Sequence, residues 1–225
     1  MDCCQDDRDN DGGIEWWQTF GQQQEHELID LGQSRATKMA SEPLPGGMHV
    51  ARLVHIVELG TQKTTYADQT KLQKKIRLAW ELPFEKDDQG QPRMIGMTYT
   101  SSMHPDSTLR KHLTGWRGKG YTDVEIRNFD IKQALGRPCT LITLQKTVGD
   151  KTYTNIDAIT AVQKGAEVPD QVNTSLYLAF DEYSAEAFDS LPGWLQETIA
   201  KSPEYASLNK KQPALASLDD EDVPF

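Results

Sequence analysis

The chain has 225 residues and carries 24 Lys and Arg side chains against 34 Asp and Glu, a formal net charge of -10. This length suits one ordinary domain with tails, or two small domains, and an acidic total counts against a nucleic-acid-binding protein. No run of about 18 apolar residues is present, which excludes a transmembrane helix. The first residues also lack the basic start and apolar stretch of a signal peptide, so we expect a cytoplasmic protein.

The charge is unevenly distributed along the chain. Residues 48–165 hold 18 basic and 12 acidic residues, a net charge of +6, whereas residues 1–38 carry -6 and residues 166–225 carry -9. These shifts predict an acidic, disordered leader over 1–47, a basic domain over 48–165, a linker over 166–218 and an acidic tip over 219–225. Since Met39 is a plausible start, we expect residues 1–38 to be dispensable, and they are candidates for a segment outside the native product.

The first half of the basic domain is predicted to form three strands. They cover Met48–Leu59, which ends at Gly60, then Lys71–Leu82, and Arg93–Ser102 after a turn. In the second strand, Ile76, Leu78 and Trp80 share one face, while Lys75 and Arg77 share the other. This alternation is typical of a half-buried strand, here with a basic outer face.

The second half of the domain combines helical segments with a final hairpin. A helix capped by Asp106 with Leu109, Leu113 and Trp116 on its apolar side is followed by a helical turn over Phe129–Leu135, and then by strands Cys139–Thr147 and Tyr153–Val162. Five strands, with short helical segments before the last hairpin, predict a mostly β protein. The expected fold is a five-stranded, closed or nearly closed OB-fold barrel, with a two-sheet sandwich as second choice. Beyond the barrel, one short amphipathic helix is predicted over Gly193–Ala200, and the residues from Asn209 onward are expected to be disordered.

No enzyme, metal or cofactor motif stands out. The three cysteines form neither a disulfide framework nor a zinc pattern, and the five histidines lack metal-ligand spacing. A magnesium-dependent nuclease would need clustered acids, for which the close pairs Asp87–Asp88 and Asp123–Glu125 are weak candidates. The Gly-rich segment 115–120 could cradle a phosphate, but it lacks the strand and helix that flank a nucleotide loop. A non-enzymatic binding protein without a cofactor is therefore favoured.

The basic domain has the residue types that single-stranded nucleic acid requires, which are cations for the phosphates and flat rings for the bases. The candidate phosphate contacts are Lys71, Lys75, Arg77, Arg93, Arg117, Lys119 and Lys146. The candidate stacking rings are Tyr99, Trp116 and Tyr153. A solvated sheet face also explains the lysines, and each ring can instead pack in the core, Trp116 as a plug at the base of the barrel.

The last seven residues are predicted to dock on a partner protein. They are Asp219, Asp220, Glu221, Asp222, Val223, Pro224 and Phe225. Phe225 can enter an apolar pocket while the acids meet basic residues, and Pro224 limits the entropy lost on ordering. A solubilising tail is the alternative.

This ending resembles the acidic tip of single-stranded DNA-binding proteins. With the five-strand pattern, the chain resembles the phage-encoded members of that family; Gly136–Val162 is similar to their final hairpin, and Leu191–Tyr205 to a segment between barrel and tail. The resemblance covers residues 48–225. It implies an OB-fold protein that coats single-stranded DNA in phage replication, recombination or repair. It also implies a tip that recruits replication or repair proteins and competes with DNA for the basic groove.

Other functions and assemblies stay open. A protein-interaction module with incidental DNA contact and a nucleic-acid enzyme are the alternatives to a single-stranded DNA-binding protein. Self-association is open as well, and no membrane partner is expected.

Overall fold

The computed structural model describes residues 43–66 and 69–211 of the chain. Its strands are β1 (Gly47–Tyr66), β2 (Gln69–Lys86), β3 (Pro92–Thr100), β4 (Pro138–Val148), β5 (Lys151–Thr160) and β6 (Leu176–Leu178). Its helices are α1 (Thr108–Arg117), α2 (Asp123–Arg127), a 3-10 turn (Ile131–Ala134), α3 (Ala185–Asp189), α4 (Gly193–Ala200) and α5 (Pro203–Lys211). None of the helices in this part of the chain has the length and hydropathy that crossing a membrane requires.

The strands form one sheet in the order β3-β2-β1-β4-β5, and neighbours along this order are antiparallel. β1 is shared between two partners, because its start pairs with β4 and the rest pairs with β2; Arg52 is opposite a residue of each. The short strand β6 adds to β1 in parallel. The prediction of a mostly β protein is confirmed. The predicted closure is not, since no ladder joins β3 to β5 within the described residues and the sheet is open.

β1 is longer than the sequence predicted. We expected it to end at Gly60, yet it continues to Tyr66 through register shifts at Leu53/His55 and Glu58/Gly60. Gly60 has a φ of 71°, and a Cβ there would lie 2.5 Å from the Cβ of Ser202. The glycine is therefore needed for a bend and a close approach inside a strand and does not end it.

Alternation in β2 predicts its buried face correctly. Ile76, Leu78, Trp80 and Leu82 lie in the main hydrophobic core, which also contains Leu53, Ile56, Leu141 and the α1 residues Leu109 and Leu113. Burying such side chains contributes about 1.5–3 kcal/mol each, so this cluster is the chief source of stability. α1 begins after the N-cap Ser107 and not after Asp106, because the Ser107 hydroxyl accepts a hydrogen bond from the backbone of Arg110.

The segment after β5, predicted to be a linker with one helix, packs on the sheet. The predicted helix Gly193–Ala200 is confirmed as α4, but β6, α3 and α5 accompany it. Val57 and Leu59 of β1 form a second apolar cluster with Leu195 and Ile199 of α4 and Phe188 of α3. Residues 176–205 are therefore part of the folded domain. The sequence did not predict this packing. The apolar side chains of this segment pack on the outer face of β1, and no residue pattern in β1 marks that face as covered.

The domain also begins earlier than position 48. The Leu44 side chain is buried, and its carbonyl accepts hydrogen bonds from the side chains of Gln145 and Thr154. Residues 43–47 thus belong with the sheet and not with the predicted leader. The rest of the leader, and the tip Asp219–Phe225, lie outside the described residues.

Candidate nucleic-acid interface

The open side of the sheet contains a cavity of about 280 Å³ between the edge strands β3 and β5. Residues 93–95 of β3 and 152–154 of β5 line opposite sides of it, and Pro43, Leu44 and Leu82 complete the lining. Two residues predicted to bind DNA, Arg93 and Tyr153, are therefore brought to one site by strands that are distant in the sequence. We name this cavity and its lining the seam.

Lys146 joins the seam through the β4–β5 hairpin. It is directly opposite Tyr153 in the antiparallel register, so the two side chains share a face with their Cβ atoms about 4.5–5.5 Å apart. Lys146 is exposed. Arg93 and Tyr153 thus line the cavity, and Lys146 lies beside Tyr153 on the neighbouring strand; cations next to a ring are the combination that phosphate and base contacts need.

The β1–β2 hairpin forms a second basic feature. Residues 61–66 pair with residues 69–74, whereas β3 pairs with β2 only from Lys75 onward, so this part has two strands; we call it the ribbon. Lys71 lies on the ribbon and is exposed, as are Lys63 and Lys74. Glu204 of α5 anchors the base of the ribbon by accepting hydrogen bonds from the backbone and hydroxyl of Thr61. The ribbon lies far from the seam, since Leu82 of the seam is 11 residues, roughly 36 Å of strand, beyond Lys71.

Arg77 is partly covered and does not line an open groove. Its guanidinium lies 4.8 Å from the centre of the Trp194 ring of α4 and donates a hydrogen bond to the hydroxyl of Thr98. Burial lowers the pKa of this guanidinium. Its neighbour Lys75 is half-buried and donates to the Thr100 hydroxyl. Arg77 lies on the predicted basic outer face of β2, but this face is partly covered there, because Trp194 of α4 packs on the guanidinium.

Tyr99 is part of the core, so its prediction as a stacking ring is wrong. The side chain is 2% exposed, its hydroxyl lies 3.0 Å from Nδ1 of His112, and burial raises the pKa of that hydroxyl. The other imidazole nitrogen, Nε2, lies 3.1 Å from the Asp157 carbonyl. Because a carbonyl only accepts, Nε2 carries the hydrogen and Nδ1 accepts from Tyr99.

Trp116 anchors α1. Its indole nitrogen donates to the Pro138 carbonyl over 2.8 Å, and its ring packs against the main core. This arrangement agrees with the alternative of a ring that plugs the base of the sheet; the indole is half-buried, and base stacking by Trp116 stays a prediction. Pro138 and Lys146 are eight residues apart on β4, roughly 27 Å, which separates α1 from the seam.

The cations beside Trp116 differ in their surroundings. Arg117 forms an ion pair with Glu125 of α2, and its guanidinium lies 4.8 Å from the Tyr121 ring. The hydrogen bond from Arg117 lowers the pKa of Glu125 to about 2. Lys119 is exposed in the loop after α1. Arg117 therefore has a structural role, and Lys119 is the cation of this group that stays accessible.

The Gly-rich segment 115–120 has a packing explanation. A Cβ on Gly115 would lie 2.4 Å from the Ile159 carbonyl of β5, so only glycine lets α1 approach that strand. Gly118 ends the helix with a φ of 74°, in the left-handed conformation that glycine favours. Both glycines serve the helix, and neither is needed for a phosphate loop.

The acid pairs weighed for a nuclease are used locally. Asp87 accepts hydrogen bonds from the backbone of Gln89 and Gln91 and so closes the β2–β3 turn. Glu125 pairs with Arg117 and caps α2 together with Thr122. In the described residues, no group of three or more His, Cys, Asp or Glu side chains is arranged to hold a metal ion.

Two residues near the seam escaped the sequence reasoning. Phe84 is 54% exposed near the end of β2, and Lys86, two positions on, is also exposed. Because a Phe in a strand is ordinarily assigned to the core, the residue pattern of β2 gave no indication that Phe84 is exposed. The one available hint was Pro83, because proline before a strand end often accompanies a break in pairing.

Comparison with known proteins does not assign the chain to a family. No family model matches it, and no curated protein sequence matches it. The resemblance to phage single-stranded DNA-binding proteins thus rests on the tip, the strand pattern and the segments Gly136–Val162 and Leu191–Tyr205.

Proposed function

We propose that the chain is a non-enzymatic single-stranded DNA-binding protein of the OB-fold type. The strand order supports this proposal: β1 is shared between the β1-β2-β3 meander and the β4–β5 hairpin, and α1 lies in sequence between β3 and β4. An OB-fold is a partly open five-stranded barrel whose ligands contact the β2–β3 face and the β1–β2 and β4–β5 loops. In this chain those two loops are the ribbon and the hairpin that carries Lys146.

The seam is the observation that carries the proposal. Arg93 and Tyr153 line one opening from two edge strands, and Lys146 shares the face of Tyr153. A cationic rim beside an aromatic ring suits a sugar-phosphate backbone with its bases turned inward. Residues 48–165, which contain strands β1 to β5 except Gly47, carry a net charge of +6 against -5 on the packed residues 166–211, so the cations that attract DNA are concentrated on the main strands.

Binding is expected to depend weakly on sequence and strongly on salt. Stacking and phosphate contacts tolerate every base, and one domain of this type occupies about 4–16 nucleotides. The acidic tip would recruit replication or repair proteins and compete with DNA for the cations. In this proposal the protein coats single strands in phage replication, recombination or repair, and the acidity of the whole chain is a property of its arms.

The deciding experiment is a salt series with oligo-dT. Fluorescence anisotropy would give the affinity of the full chain between about 50 and 200 mM salt, where each phosphate contact adds about 0.7 to the slope of log K against log salt. Replacing Arg93 and Lys146 together by Gln should lower the slope by about 1.4. The matched control is Lys119→Gln, which removes an exposed cation away from the seam and should leave the slope unchanged.

Two outcomes would count against this assignment. Absence of binding to oligo-dT at low salt would overturn the proposed function as a whole. Normal binding by the Arg93/Lys146 variant, with a reduced slope for Lys119→Gln, would move the interface to the α1 loop and refute the seam.

A further inference from the structure

Phe84 differs from every other aromatic side chain that the structure describes. It is 54% exposed, whereas the others are buried or half-buried, including the predicted stacking residues Tyr99 and Trp116. More than half of this residue's surface stays in water, and that part gains nothing for the fold. Phe84 is therefore the best-placed flat surface for an incoming planar group.

The backbone holds Phe84 outward on a rigid frame. Pro83 is buried, and a carboxylate oxygen of Glu85 lies 3.0 Å from Nδ1 of His49. The other nitrogen of this buried imidazole donates to the Pro45 carbonyl at 3.1 Å. Both neighbours of Phe84 are thus tied to the domain, and the irregular pairing between Leu82 and Lys86 turns the ring between them to the surface.

The segment around Phe84 contains both signs of charge: Lys86 follows it and Arg93 is opposite Leu82, while Glu85, Asp87 and Asp88 lie in the same turn region. Leu82 lines the seam, and Lys86 is exposed. Protein-binding surfaces are depleted in lysine, whereas single-strand binding sites combine cations with rings on which bases stack. The chemistry around the ring therefore fits a nucleotide better than an apolar peptide.

We propose that Phe84 is a base-stacking residue that extends the seam along β2, with Lys86 binding the adjoining phosphate. This inference rests on the proposed function and deepens it by naming the ring that the sequence did not indicate. A strand crossing the seam would meet Arg93, Tyr153 and Phe84 in turn. Phe84 then contributes affinity through the base, and Lys86 contributes it through charge.

The experiment separates these two contributions. Phe84→Ala should weaken oligo-dT binding by about 5- to 140-fold, the equivalent of 1–3 kcal/mol per stacked base, with an unchanged salt slope. Lys86→Gln should lower the slope by about 0.7. Phe84→Tyr should restore affinity, whereas Phe84→Leu should not, because only the first keeps a ring. The matched control is Val124→Ala, which removes an equally exposed apolar side chain on α2.

An abasic oligonucleotide supplies the decisive comparison. Without bases there is nothing to stack, so the wild-type chain and Phe84→Ala should bind it equally, while Lys86→Gln should still bind it more weakly. Equal binding of oligo-dT by the wild-type chain and Phe84→Ala would overturn this inference and leave the proposed function standing. Absence of oligo-dT binding by the wild-type chain would overturn the function first. Unchanged thermal midpoints would show that the variants are folded.

Discussion

The guanidinium of Arg77 lies 4.8 Å from the centre of the Trp194 ring, joining β2 to a helix more than a hundred residues later in the chain. On the other side of the guanidinium, a Cβ on Gly96 would lie 2.7 Å from Nη2, so Gly96 makes room for it. Arg77 is thus enclosed between a glycine of β3 and a tryptophan of α4. This part of the outer β2–β3 face is therefore partly covered by the protein itself.

The first prediction concerns the coupling between these two residues. Trp194→Ala should lower the free energy of unfolding by about 1–3 kcal/mol, because the ring covers Arg77 and packs against the second apolar cluster. Arg77→Gln should also destabilise the chain, and the double variant should lose less than the sum by about 0.5–2 kcal/mol. Urea unfolding of the four proteins gives this coupling directly.

DNA binding supplies the control for this prediction. Since Arg77 is enclosed, Arg77→Gln should leave the salt slope of oligo-dT binding unchanged, and so should Arg127→Gln, which replaces an exposed arginine on α2. A slope lowered by about 0.7 for Arg77→Gln alone would mean that the guanidinium contacts phosphate. Additive losses of stability would mean that the ring and the guanidinium act independently.

How far the sequence predicts this fold is shown by β2. Alternation gave the buried face from Ile76 to Leu82, because side-chain parity is a local property. The same parity placed Arg77 on the outer face correctly, but it carries no information about a distant helix that covers that face. Glu81 makes the same point: it is fully buried on the outer face, where its carboxylate accepts hydrogen bonds from the Val172 and Asn173 backbones.

The candidate site was predictable only in part, for a similar reason. Arg93, Lys146 and Tyr153 were chosen by residue type; the edge strands β3 and β5 bring Arg93 and Tyr153 to one cavity, and the β4–β5 register places Lys146 opposite Tyr153. Tyr99 and Trp116 were chosen by the same criterion, but their polar atoms have partners inside the fold. Residue type alone cannot separate a ring that stacks on a base from a ring whose hydrogen bond lies in the core.

The second prediction tests the buried Tyr99–His112 pair. Tyr99→Phe removes the hydroxyl that donates to Nδ1 of His112 and leaves that nitrogen buried without a partner, which should cost about 1–3 kcal/mol of unfolding free energy. Affinity for oligo-dT should stay the same, because the ring lies in the core. Weaker DNA binding with unchanged stability would contradict the structural role. Tyr153→Phe, at the seam, is the comparison in which stability should not change.

The third prediction concerns pH. Burial lowers the pKa of His112 below its ordinary value of 6.5, so the folded state binds fewer protons than the unfolded state just below that pH. The stabilisation by neutral His112 is present above about pH 6.5 and is lost as the pH falls through its folded pKa. The free energy of unfolding should therefore decline on acidification below this value. Burial lowers the pKa of His55 too, which adds to the decline.

The measurement is urea unfolding at a series of pH values from about 8 to about 5. His112→Gln should be less stable at neutral pH but should show a flatter decline, because one of the two histidines no longer titrates. His104→Gln is the control, since His104 is exposed. Parallel curves for the wild-type chain and His112→Gln would show that His112 is not the source of the decline.

The last prediction uses two glycines of one segment. In a helix, Gly→Ala ordinarily stabilises by about 1 kcal/mol, but the added Cβ at Gly115 would meet the Ile159 carbonyl at 2.4 Å. Overpacking of this kind costs about 1–3 kcal/mol, and a backbone atom cannot rotate away. Gly115→Ala should therefore lower the free energy of unfolding. Gly120→Ala is the control, since nothing lies within 4 Å of its position and its stability should be unchanged.

DNA binding then separates packing from a phosphate loop. If the segment served a phosphate, both substitutions would weaken oligo-dT binding, because each places a side chain where the backbone would approach the ligand. If Gly115 serves helix packing, Gly115→Ala should shift the urea midpoint, while the affinity of both variants, measured where they are folded, should match the wild-type chain. Weaker DNA binding by Gly120→Ala, with unchanged stability, would instead indicate that this segment contacts DNA.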